Sequence, residues 1–148
     1  MLLGTEWLVG SLWGGRLAAA VLLGALGFAS AVSAQTAETR VFEMRIYTAH
    51  PGKLGTLNER FRNHTNRLFV KHGMSLIGYW TPTDGPESEN TLIYILAYPS
   101  REARDASWKA FQSDPEWQEA RKQSEANGPV VQRVESKFMV PTDYSPIH

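Results

Sequence analysis

The residues able to do chemistry are few and scattered. His64 stands out: continuing the three-then-four spacing of Leu54, Leu57 and Phe61 toward Leu68 lands on it, so its imidazole is expected in an apolar helix stripe facing a sheet. There it would serve as a general base or haem ligand; the competing role is a core histidine hydrogen-bonded to a strand residue. Arg45 beside Glu43 offers a guanidinium for a carboxylate substrate, or a cross-strand ion pair. Tyr47, Tyr79, Trp80, Tyr94 and Tyr98 are numerous for a small sheet and would line a cavity for a planar apolar ligand, although strands are also simply rich in aromatics. The candidate ligand-binding set is therefore Arg45, Tyr47, His64, Trp80 and Tyr94, with His64 as the candidate catalytic group.

Other chemistries find no support. The 148 residues contain no cysteine, which excludes thiol chemistry, disulfides and Cys-ligated metal or iron-sulfur centres. His64 and His72 are eight residues apart, roughly 12 Å along a helix axis, too far for one ion with ligand bonds near 2 Å. No metal and no cofactor is expected. P-loop, nucleophile-elbow and paired-glycosidase patterns are missing. Fifteen basic and fifteen acidic residues are interleaved to a net charge of zero, unlike the clustered basic excess of a nucleic-acid binder.

Residues 1–34 read as a leader rather than as fold: Arg16, an apolar run from Leu17 to Phe28, then small residues ending Ala31-Val32-Ser33-Ala34. Cleavage near Ala34 predicts an exported, periplasmic or secreted, protein. The competing reading is an uncleaved anchor, which would be the chain's one membrane contact; its strongly apolar part is shorter than the roughly 20 residues a span needs. A flexible lead (35–40), one domain (41–140) and a tail (141–148) follow.

The elements that must position the candidates can be read in order. Val41 to Tyr47 alternates, with Phe42, Met44 and Ile46 on one face and Val41, Glu43, Arg45 and Tyr47 on the other. His50-Pro51-Gly52 breaks the strand, and an amphipathic helix runs from Lys53 to a stop at His72-Gly73. Met74 to Trp80 and Thr91 to Tyr98 are strands joined as a hairpin by a Pro/Gly/Ser-rich loop, and the second reads as a central strand. Ser100 caps a helix whose small face is expected to be Ala103, Ala106, Ser107, Ala110 and Phe111. Asp114-Pro115-Glu116-Trp117 starts a further helical piece, each residue having a capping or packing job. A last alternating strand, Val130 to Val140, places Arg133, Glu135 and Lys137 on one face, where Glu43 and Arg45 are expected to meet them as cross-strand ion pairs.

The order is βαββαβ: an α+β, ferredoxin-like antiparallel sheet with helices on one face. Val41, Tyr47 and one face of the third strand are too apolar to leave wet, which predicts a homodimer through the open sheet face.

FEMRIYTAHPGKLGTLNERF, KHGMSLIGYW, LIYILAYPSREAR and SDPEWQEAR, in this order over about 41 to 140, resemble the NIPSNAP family. The resemblance implies a dimeric α+β barrel. It carries no imidazole role to Tyr94, where the family pattern often has His. Mitochondrial members look like adaptors in vesicle transport and mitophagy, bacterial members are largely uncharacterised, and relatives with the same barrel include cofactor-free monooxygenases, haem-degrading enzymes and isomerases. The expectation is a homodimer binding a small apolar or aromatic molecule, leaning away from catalysis. The alternatives are a cofactor-free monooxygenase or isomerase, with His64 as base and Tyr94 or Trp80 placing an aromatic substrate, and a cell-envelope interaction module.

Overall fold

The structure, a computed structural model, describes residues 40–148. The leader, its cleavage near Ala34, the alternative anchor and most of the polar lead lie outside the described residues. Four strands, β1 (Val41–Ala49), β2 (Ser75–Trp80), β3 (Thr91–Tyr98) and β4 (Val131–Met139), form one sheet in the order β2-β3-β1-β4, every pair antiparallel. Between β1 and β2 run α1 (Leu54–Arg60), a π-helical turn (Phe61–Thr65) and α2 (Asn66–Lys71); between β3 and β4 run α3 (Arg101–Ser113) and α4 (Pro115–Ser124). This is the expected βαββαβ order, with the first and last strands adjacent.

Local chemistry sets the boundaries. Gly73 takes φ 79°, the left-handed conformation that ends a helix without a Cβ penalty. Ser100 Oγ accepts from the Ala103 N–H at 3.1 Å, and Asp114 Oδ1 accepts from the Glu116 N–H at 2.9 Å with Pro115 at the first helical position. Asp114, at the α3–α4 junction, also ties the two helical runs together, since Oδ2 meets both Lys71 Nζ and His72 Nε2 at 2.7 Å. The bonds from Lys71 and then His72 hold its carboxyl below the usual range.

The core lies between the helices and one sheet face. Leu57, Phe61, Leu68 and Phe69 come down from the first helical run, Trp108 and Phe111 from α3, and they meet Leu92, Tyr94, Leu96 and Tyr98 of β3. Each such side chain contributes about 1.5–3 kcal/mol by leaving water. Of the expected face of α3 only Phe111 is buried: Ala106 and Ala110 are exposed, Ala103 and Ser107 are half-buried, and Arg104 and Trp108 join Phe111 in facing the sheet. Two large rings fill the helix-to-sheet gap better than a row of methyls.

Two expectations about β1 are corrected. Its mixed face, Glu43, Arg45 and Tyr47, is the one under the helices, while Met44 and Ile46 lie half-buried on the open face beside Ile93 and Ile95 of β3. Tyr47 therefore does not contribute to the open face. Glu43 is opposite Phe138 and Arg45 opposite Ser136, whereas Lys137, Glu135 and Arg133 are opposite Met44, Ile46 and Thr48. The anticipated cross-strand pairs are on opposite faces, because a ladder shifted by one residue exchanges the sides of every residue in the strand.

Candidate functional site

Glu43 anchors the helix side of the sheet. It is fully buried, and its carboxylate accepts five hydrogen bonds: Arg45 Nη1 at 2.6 Å, Arg104 Nη2 at 2.7 Å and Ser136 Oγ at 2.6 Å on Oε1, with Arg104 Nε at 2.9 Å and Tyr98 OH at 3.1 Å on Oε2. Trp108 Nε1 donates to Tyr98 OH at 2.8 Å, completing a chain from α3 through β3 to β1. Burial pushes the Glu43 carboxyl up, but the bonds from Arg104 and Ser136 and the charge of Arg45 outweigh it, and the group is held down at about 2. Burial raises the Tyr98 phenol, so it stays a donor.

Arg45 connects this network to a cleft. Its Nε donates to Tyr94 OH at 3.1 Å, its Nη2 to Tyr47 OH at 3.4 Å, and its guanidinium carbon lies 4.2 Å from the centre of the Trp108 ring. The cleft, of about 690 Å³, is bounded by β1, the π turn, α3, α4 and the start of β4. That volume is in the range of small-molecule sites. Aromatic rings build much of its wall: Tyr47 and Phe61 meet edge-to-face at 6.0 Å, and Phe111 and Trp117 lie 4.5 Å apart. Arg45, Arg60 and Arg121 also line it, against one carboxylate among the described residues, Glu125; Arg133 borders it from β4 with its side chain on the open face of the sheet. Arg60 Nη1 reaches Ser124 Oγ at 3.1 Å and Glu125 Oε1 at 3.2 Å, while Arg121 Nε reaches Glu125 Oε2 at 3.1 Å. Arg60 Nε is buried with no hydrogen-bond partner among the described residues.

The sequence candidates divide among four places. Arg45 and Tyr47 line the cleft. Tyr94 is fully buried beneath them, its ring 5.2 Å from Tyr47 and 5.1 Å from Phe61; burial pushes its phenol up, and it accepts from Arg45. Trp80 is on the open face at the end of an edge strand, half exposed, its indole lying over Gly78, where a Cβ would come within 2.6 Å of the ring. Trp80 and Tyr94 thus occupy opposite sides of the sheet.

His64 is not in the buried stripe. It lines a separate polar groove of about 310 Å³ between α1 and α4, and Arg60 borders both openings. Thr65 takes the expected core position, 1 % exposed. The cause is the π turn: core positions step by four from Leu57 through Phe61 and Thr65 to Phe69, and four residues overshoot a regular α-turn by about 40°. An i→i+5 turn absorbs that drift; the Asn66 N–H donates to the Phe61 carbonyl, and Thr65 Oγ1 donates to the Arg60 carbonyl at 3.2 Å. Phe61 and Thr65 are thereby turned to the cleft.

Arg60, Trp108, Trp117 and Arg121 were not among the sequence candidates. The available signal was an arginine next to Phe61 within an apolar stripe, and the spacing Arg104, Trp108, Phe111, a helical face with a cation leading two rings.

The NIPSNAP family model matches residues 42–146. Among solved structures, an uncharacterised NIPSNAP-like domain protein from Burkholderia xenovorans is 25 % identical with a TM-score of 0.64, over 74 % of this chain and 90 % of its own. A NIPSNAP family protein from Agrobacterium tumefaciens is also 25 % identical at a TM-score of 0.64, over 74 % of this chain and 99 % of its own. A Streptomyces coelicolor monooxygenase in complex with nanaomycin D, 17 % identical with a TM-score of 0.51 over 73 % of this chain and 92 % of its own, shares the fold. No curated protein matches the sequence. With a family model spanning residues 42–146, well over half of the chain, and NIPSNAP proteins among the solved structures of similar fold, the chain belongs to the NIPSNAP family.

Proposed function

We propose that this NIPSNAP domain is an exported binder of a small planar aromatic molecule, held in the cleft between the helices and the β4 edge of the sheet. The observation that carries the reading is an opening of about 690 Å³ walled by Tyr47, Phe61, Trp108 and Trp117. Export is read from the leader sequence. Catalysis with His64 as base finds no support in the geometry, since the imidazole belongs to the outer groove and Trp80 to the far side of the sheet. We further propose that two copies meet through the open sheet face, where Met44, Ile46, Ile93 and Ile95 are half-buried and Trp80 is exposed.

The cleft is tested with the full protein and the fluorescent probe N-phenyl-1-naphthylamine. Titration is expected to enhance the probe and quench Trp108 and Trp117. Gln132→Trp, on the exposed stretch of β4 that lines the cleft, is expected to fill the space and weaken binding at least about tenfold with unchanged circular dichroism. A wild-type protein that does not bind the probe, or binding unaltered by Gln132→Trp, would reject the reading.

A further inference from the structure

The charges around the cleft are unbalanced in a way that selects a ligand. Glu125 is the one carboxylate that lines it among the described residues, and both of its oxygens are already engaged, Oε1 by Arg60 and Oε2 by Arg121. Two guanidinium groups thus share one carboxylate. Arg60 is the consequential member of the pair: its side chain is 3 % exposed, so water does little to offset its charge, and its Nε hydrogen has no acceptor among the described residues. Arg45, which also lines the cleft, shares the buried Glu43 with Arg104, which lies outside it; Arg104's other partner, Asp105, is 72 % exposed and screened. Arg133 is paired to Glu135 in solvent and adds nothing net.

A cationic ligand would meet the guanidinium groups of Arg45, Arg60 and Arg121 here, and a neutral one would leave the excess positive charge unanswered. The same arginine sits next to an aromatic platform, with Arg60 Cζ 5.4 Å from the centre of the Trp117 ring, so a flat ring against Trp117 would bring an acidic substituent within reach of Arg60 and Arg121.

We propose that the cleft takes an aromatic carboxylate, its ring against the Trp117 wall and its carboxylate answered by Arg60 and Arg121. The inference rests on the aromatic-cleft reading above and adds to it the charge of the ligand.

The test compares two probes of one shape, 2-naphthoate and 2-naphthamide, by calorimetry and tryptophan quenching on the full protein. Naphthoate is expected to bind about tenfold more tightly than the amide, and the preference should shrink as salt is raised, because Arg121 is 62 % exposed. Two substitutions should move the preference in opposite directions. Arg121→Gln removes one cation and weakens naphthoate several-fold; Glu125→Gln removes the competing carboxylate and strengthens it; neither shifts the amide by more than about twofold. Equal affinities for the two probes would overturn the charge assignment while leaving the aromatic cleft standing. Absence of binding by either probe would overturn both. Naphthoate affinity unchanged in both variants would overturn the assignment to this arginine pair.

Discussion

The two faces of β1 carry opposite chemistry from what their positions suggest. Glu43, Arg45 and Tyr47, the polar side, are covered by helices, and Met44 and Ile46, the greasy side, have no helix over them among the described residues. A buried carboxylate is tolerated because every lone pair is used: five donors surround Glu43, two of them on one guanidinium fork. The apolar open face has no such internal solution, since its neighbours on β3, Ile93 and Ile95, are equally apolar. Polarity alone therefore did not assign the covered side; the availability of partners did. The charged row of β4, Arg133, Glu135 and Lys137, flanks the apolar face rather than the polar one.

The strongest way to break this contrast is to remove the carboxylate. Glu43→Ala leaves Arg45 and Arg104 facing each other without their buried counter-charge, with only the exposed Asp105 beside Arg104, and a loss of about 3–5 kcal/mol in urea unfolding is expected. A loss below about 1 kcal/mol would mean that the buried network is incidental. Titration probes the same group less severely. The Glu43 carboxyl is lowered on folding from 4.5 to about 2, so its contribution is fully present above about pH 4.5 and is lost as pH falls toward 2, on the order of 3 kcal/mol. Asp114 adds a component of the same sign, so the difference between wild type and Glu43→Ala isolates Glu43: the variant's stability should fall less steeply over that window. The smallest effect on folding is expected on the other face. Ile95→Lys should change unfolding free energy by less than about 1 kcal/mol, yet convert a dimer to a monomer in sedimentation velocity if a second copy covers the open face. A wild-type protein that sediments as a monomer would remove that explanation for the apolar side.

Much of the fold was legible because its signals are local. The alternation of Val41 to Tyr47, the stop at Gly73, the caps at Ser100 and Asp114 and the hairpin before β3 each depend on neighbours within four or five residues, and each is found where the residues suggest. Arg45 and Tyr47 were also legible as cleft residues, since a guanidinium and a ring on one face of a strand are a short-range pattern. His64 was misplaced by a local feature that periodicity hides: one π turn changes the phase of a helix, and a stripe of Leu, Phe and Leu does not say whether the step through residues 61–68 lands on 64 or 65.

The sequence by itself determined the order of elements, their boundaries and the absence of thiol chemistry, because propensity, capping and composition act over one or two turns of chain. Only the tertiary structure decided which side of β1 is covered and which arginines border the cleft. The partners that make Glu43 tolerable in the interior, Arg104 and Ser136, are 61 and 93 residues away, and Arg60 meets Glu125 across 65. The cost of burying a charge is set by what surrounds it in space.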